Sequence, residues 1–267
     1  KADAIVGLET AMAKVQWSPA ESRDIAKLND PQTLAGLKAK APDFNWALML
    51  KTAGLESSPK VLMTQNTAVT ALGKLMTATP LQAWKDYLAY RFVSDHAQFL
   101  PKAFDDTRFA FYSQTLSGVK VQRERWKRGV QLVNGALGEA VGAIYVSKYY
   151  PPAAEKQMAE LIENLRASYK ERIAASTWMD EGTKQKALAK LAAFEPRIGH
   201  PDKYIDYSSF KVVRGDLLGN AMRSGEFQHE LELSRFPKPV DRTLWDMTPQ
   251  TVNAYYNPVK NEIVFPA

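Results

Sequence analysis

Apolar residues recur at three- and four-residue spacing along most of the chain, the period of an α-helix with one face turned to a core. Met158, Leu161, Ile162, Leu165, Tyr169 and Ile173 form one such stripe. Helix starts are marked as well. Ser18-Pro19-Ala20-Glu21 and Thr79-Pro80-Leu81-Gln82 both have the form of a capping box with proline at the first helical position, where the missing N–H costs nothing. Pro151-Pro152 ends one helical segment and opens the next, and Asp180 caps a helix running through Lys184 to Ala193.

Between Glu195 and Phe210 the pattern is broken by Pro196, Gly199 and Pro201, which predicts a connecting loop with room for a short strand. Helical periodicity resumes from Asp216 to about Leu233 and is stopped by Pro237 and Pro239. The period then changes from helical to alternating. Val252-Asn253-Ala254-Tyr255-Tyr256 and Glu262-Ile263-Val264-Phe265 are short, β-branched and aromatic, and Asn257 to Asn261 separates them, so the spacing predicts a β-hairpin. The fold class expected is mainly α: a large irregular multi-helix lobe over residues 1 to about 240, then a linker and a first β-hairpin over 241–267. No repeat and no low-complexity tract is present, which argues against a regular solenoid. A chain that stops directly after a hairpin strand reads as unfinished, because an isolated two-stranded hairpin is marginal in water.

Composition fits an ordinary globular protein, with 45% apolar and 24% charged residues. No apolar run reaches the ~20 residues a membrane-spanning helix needs, and Lys1-Ala2-Asp3-Ala4 has no signal-peptide pattern. The net charge of +6 over 267 residues is modest. Its densest basic run, Arg123 to Arg128, includes Glu124 and lies in a helical pattern, so it reads as a solvated helix face and not as a nucleic-acid site. The absence of cysteine excludes disulfides, thiolate metal sites and a cysteine nucleophile.

Candidate chemistry is sparse. Of the three histidines, His96, His200 and His229, only His229-Glu230 imitates the start of the H-E-x-x-H zinc helix, and Leu233 stands where the second histidine is required. His229 therefore reads as a polar helix-surface residue. His96 and His200 read as structural or exposed. No Gly-x-Ser-x-Gly elbow occurs. Glu160 and Glu163 share a helix face, and the six tryptophans read as packing residues. Spacing alone yields no catalytic residue and no metal ligand.

The hairpin changes the picture. Asn253-Ala254-Tyr255-Tyr256, a short turn, and Asn261-Glu262-Ile263-Val264-Phe265-Pro266-Ala267 resemble a signature of the neprilysin family of zinc metalloendopeptidases. Upstream blocks agree in order: Ala41 to Trp46, Asn134 to Ala140, Tyr149-Tyr150-Pro151, Trp178-Met179-Asp180, and Lys186-Ala187-Leu188 through Ile198 to Lys203. The resemblance implies a helical lobe that caps a central cavity and restricts substrates to small peptides. The hairpin then begins a thermolysin-like catalytic lobe. It also implies that an extended peptide pairs with the strand at Asn253, Ala254, Tyr255 and Tyr256: the Asn253 amide and Ala254 backbone hold substrate main chain, and the two tyrosines line or support the strand. Zinc and its ligands belong, by the same resemblance, to the parent enzyme outside this chain, so the chain alone is expected to be inactive. The expected partners are small peptides and the remaining catalytic lobe, with no nucleic acid. Freedom from cysteine departs from the animal members and implies a bacterial-type enzyme, periplasmic or secreted, with the cytoplasm as the alternative. The competing reading is a non-catalytic helical peptide-binding or scaffold protein, which would bind peptides stoichiometrically without hydrolysing them.

Overall fold

A computed structural model describes all residues, Lys1–Ala267, and the chain divides into two compact units, Lys1–Val121 and Gln122–Ala267.

In the first unit, α1 (Ala2–Val15) is followed by a 3₁₀ turn at Glu21–Arg23, α2 (Ile25–Leu28), β1 (Pro31–Gln32), α3 (Leu34–Lys40), α4 (Trp46–Thr52), β2 (Val61–Leu62), α5 (Asn66–Ala78), α6 (Leu81–His96) and α7 (Lys102–Arg108). A π-helical turn over Phe109–Thr115 continues α7. The Ser18 capping box does form: Ser18 N–H donates to Glu21 Oε2 at 3.1 Å and Glu21 N–H to Ser18 Oγ at 3.3 Å. It starts only the 3₁₀ turn, because Asp24 accepts from Ala26 and Lys27 N–H and begins a new helix. The Thr79 box does not form. Pro80 is itself the cap residue, without a side-chain bond, and Gln82 turns to Asp86 at 3.0 Å.

Leu37, Ala41, Trp46, Leu50 and Met63 make the core of this unit, where α3, α4 and the residue after β2 converge. Asp30 ties the small β1–β2 sheet to the helices beside it. Its carboxylate accepts from Lys40 at 2.5 Å and Asn66 at 2.9 Å, and its carbonyl takes Met63 N–H at 2.9 Å. The Lys40 bond, then the Asn66 bond, holds this carboxyl below the ordinary aspartate range.

The second unit contains α8 (Arg125–Tyr149), α9 (Pro152–Ala174), α10 (Glu181–Ala192), β3 (Glu195–Gly199), α11 (Leu217–Arg235), β4 (Tyr255–Asn257) and β5 (Glu262–Pro266). Pro152 opens α9, Asp180 caps α10 through Thr183 N–H at 2.6 Å, and Asp216 caps α11 through Gly219 N–H at 3.0 Å. The α9 stripe is less buried than its period suggests: Ile162 is enclosed, whereas Leu161, Leu165 and Tyr169 are exposed.

The chain is mainly α with a short hairpin, as its periodicity predicts. The hairpin is not isolated, however. β3 pairs parallel to β5, and β4 pairs antiparallel to β5 on its other side, giving the order β3-β5-β4. Pro196 is tolerated because β3 is an edge strand, where a missing N–H can face away from the ladder. No helix is long and apolar enough to cross a membrane.

Candidate peptide-binding edge

The turn that shapes the hairpin is built by two asparagines. Asn257 Oδ1 accepts from Val259 and Lys260 N–H, both at 3.1 Å, and Asn261 adopts φ 53°, a left-handed conformation asparagine tolerates better than most residues. Beneath the turn lies a buried charge cluster. The fully enclosed carboxylate of Glu262 meets Arg197 Nε at 2.9 Å and Lys260 Nζ at 3.2 Å. Arg197 also donates to the Arg242 carbonyl at 2.6 Å, and Lys260 Nζ to the Leu244 carbonyl at 2.9 Å, so the cluster joins β3, β5 and the linker after α11.

This framework leaves β4 at the open edge of the sheet. An edge strand presents backbone N–H and C=O groups that have no ladder partner, the requirement for adding an extended peptide as a further strand. The four residues singled out from the sequence sit at its start. The expected first strand, from Val252, is shortened: pairing begins at Tyr255, because Thr251 N–H bonds to Thr248 O at 3.0 Å and Asn253 N–H to Thr251 O at 2.9 Å in a turn ahead of the strand.

Asn253 and Ala254 are exposed. Asn253 Oδ1 accepts from Ala254 N–H at 2.8 Å, which fixes the amide orientation, since only oxygen can accept there. Its NH₂ group is left as the free half, a donor. Tyr255 is half-buried, its hydroxyl accepts from Asp246 N–H at 2.8 Å, and burial pushes its pKa above the ordinary tyrosine range. Tyr256 lies over Phe194 at 6.3 Å between centroids, takes Lys190 Nζ over its ring at 5.7 Å, and donates to Asn261 Oδ1 at 3.1 Å. Both tyrosines thus hold the strand in place, on alternate faces as strand geometry requires.

The segment ahead of the strand has partners that spacing did not reveal. Gln250 Nε2 donates to the Gly138 carbonyl at 3.0 Å and Asn134 Oδ1 at 3.3 Å, and Thr248 and Pro249 lie against Gly138 and Gly142 of α8. The nearest signal in the sequence is the one-turn spacing of those two glycines. A cleft of about 730 Å³ is lined by Glu139, Arg235, Trp245, Asp246 and Lys260 among others. None of residues 253–256 lines it, so it is not the peptide edge.

The histidines are spread over different elements. His96 Nδ1 lies 2.7 Å from the Phe92 carbonyl, His200 stacks on Tyr204 with centroids 6.0 Å apart, and His229 is exposed on α11. No group of three or more His, Cys, Asp or Glu side chains is placed to hold a metal ion.

Residues 1–201 match the family profile described as Peptidase family M13. Among similar curated proteins, membrane metallo-endopeptidase-like 1 of Homo sapiens is 29% identical over 98% of this chain, and neutral endopeptidase of Lactobacillus helveticus is 29% identical over 98%. The chain spans 36% and 41% of those two proteins. The crystal structure of the Mycobacterium tuberculosis zinc metalloprotease ZMP1 with inhibitor superposes with a TM-score of 0.93 at 38% identity, covering 99% of this chain and 40% of that one. PepO from Lactobacillus rhamnosis, 21% identical with a TM-score of 0.88, has the same fold over 99% of the chain. On the extent of the profile match, the chain belongs to peptidase family M13.

Proposed function

We propose that this chain is the substrate-facing part of a zinc-dependent endopeptidase or oligopeptidase acting on small peptides. In this reading residues 1 to about 240 supply the lobe that restricts access to a cavity, and the edge at Asn253, Ala254, Tyr255 and Tyr256 holds an extended peptide. The observation that carries it is the open edge of β4, with the donor half of the Asn253 amide unpartnered beside it. A backbone-paired peptide is held with little regard to its side chains, as a degradative peptidase requires. When bound, zinc would polarise the scissile carbonyl and activate water. Its ligands would come from the catalytic lobe, not from residues 1–267.

In the full-length protein, Asn253→Ala is expected to lower kcat/KM for a short fluorogenic peptide about tenfold, the value of one good hydrogen bond to substrate main chain. Metal content, measured on the same preparation, should not change. Unaltered turnover would remove Asn253 from the reading.

A further inference from the structure

We infer that the kinked middle of α8 positions the peptide-binding edge, with Gly138, Gly142 and Gln250 as its positioning residues. The inference rests on the reading of residues 253–256 given above. Helix α8 leaves helical dihedrals at Leu137, with φ −131° and ψ 33°. At this break the Glu139 N–H donates to Tyr207 Oη at 3.3 Å, and Glu139 Oε2 accepts from Ile205 N–H at 2.6 Å. The Tyr207 hydroxyl thus enters the helix's own hydrogen bonding at the bend, a recognised cause of kinks, and the Glu139 carboxylate ties the bend to Ile205.

One residue beyond the break, the helix surface is bare. A Cβ on Gly138 would stand 2.6 Å from Thr248 Cγ2, and one on Gly142 would stand 2.6 Å from Pro249 Cδ and 2.9 Å from Gln250 Oε1. Both glycines are buried, and Pro249 is among the most enclosed side chains of the chain. Residues 248–250 therefore approach closer to the helix axis than any side chain would allow. Gln250 then fixes the register along the helix through its bonds to the Gly138 carbonyl and Asn134.

Only two residues separate Gln250 from Asn253, and they are not free. Thr251 Oγ1 lies 2.9 Å from Thr248 Oγ1, Thr251 N–H bonds to Thr248 O, and Asn253 N–H bonds to Thr251 O. A displacement of Thr248 or Pro249 is carried through this turn to Asn253. At the far side Tyr255 is tied to Asp246, two residues before Thr248, so the segment is a closed clamp with α8 as its base. Gly138 and Gly142 touch no substrate in this arrangement. They act by setting where Asn253 and Ala254 stand.

The test is steady-state kinetics of the full-length protein with a short internally quenched peptide, reading KM and kcat separately. Gly138→Ala should raise KM about tenfold to a hundredfold, the cost of a misplacement near 1 Å, with kcat changed far less. The added methyl improves helix propensity, so any cost arises from the contact with Thr248 and not from the helix itself. Adding Thr248→Ser removes the Cγ2 that the methyl strikes and keeps the hydroxyl that pairs with Thr251, and should restore most of the lost affinity. Gln250→Leu, which adds no bulk to α8, should raise KM in the same direction and decides the matter if Gly138→Ala does not fold. A KM that stays unchanged in Gly138→Ala and Gln250→Leu while Asn253→Ala still raises it overturns the positioning role and leaves the edge intact. A KM unmoved by Asn253→Ala as well overturns the edge itself, and this inference with it.

Discussion

Replacing Glu262 by alanine is expected to destabilise the second unit by about 3 kcal/mol, read as a lowered midpoint in chemical denaturation. The carboxylate is fully enclosed, and its partners Arg197 and Lys260 keep only 18% and 14% of their side-chain surface exposed. Removing one member of a buried ion pair costs about 3–5 kcal/mol, because the remaining charge stays desolvated and uncompensated. The lower end applies here, since Glu195 lies 3.6 Å from Arg197 and supplies part of the missing charge. Replacing Glu262, Arg197 and Lys260 together by apolar residues of similar size should cost much less than Glu262→Ala alone, because the penalty lies in the orphaned charge. A loss below about 1 kcal/mol would mean that water reaches Arg197 and that the cluster does not fasten β3 to β5.

The first unit should be equally sensitive at Trp46, where Trp46→Ala is expected to cost about 3–5 kcal/mol. The indole is 8% exposed, packs beside Phe44 at 5.3 Å between centroids, and donates Nε1–H to the Ala41 carbonyl at 2.8 Å. Burial outweighs the hydrogen bond: Trp46→Phe keeps most of the apolar area and should lose only about 1–2 kcal/mol. That carbonyl also accepts from Phe44 N–H at 3.3 Å, so it is not stranded when the indole donor goes. Equal losses from the alanine and phenylalanine variants would reverse this ranking.

Local signals in the sequence reported several helix starts, although the Thr79 box does not form and the Ser18 box opens only a 3₁₀ turn. Asp180 and Asp216 cap the helices their positions announce, and Pro151-Pro152 separates α8 from α9. What the sequence concealed depends on partners distant along the chain. Between Pro196 and Gly199 the expected short strand is present, but its partner was hidden: β5, more than sixty residues later, supplies the ladder, and an edge place tolerates the proline. Val252 to Ala254 has strand composition but stays outside the strand, following a turn anchored by bonds from Gln250 to α8 more than a hundred residues earlier. The stripe of α9 read as a buried face, but Ile162 alone is enclosed, since periodicity tells which residues share a face and not what covers it. Asn253 to Tyr256 were reached through family resemblance. The glycines and glutamine that hold them have no chemistry of their own to draw notice.

The central claim is that β4 receives a peptide as an added strand. Hydrogen exchange of the full-length protein, with and without a non-hydrolysable peptide analogue, tests it most directly, because a new strand must slow exchange of the backbone amides it pairs with. Slowed exchange at the amides of Tyr255–Asn257 that point away from β5, with β5 already protected in the free protein, is the predicted result. Saturating peptide that leaves those amides exchanging at their free rate, with protection appearing elsewhere, would contradict the account.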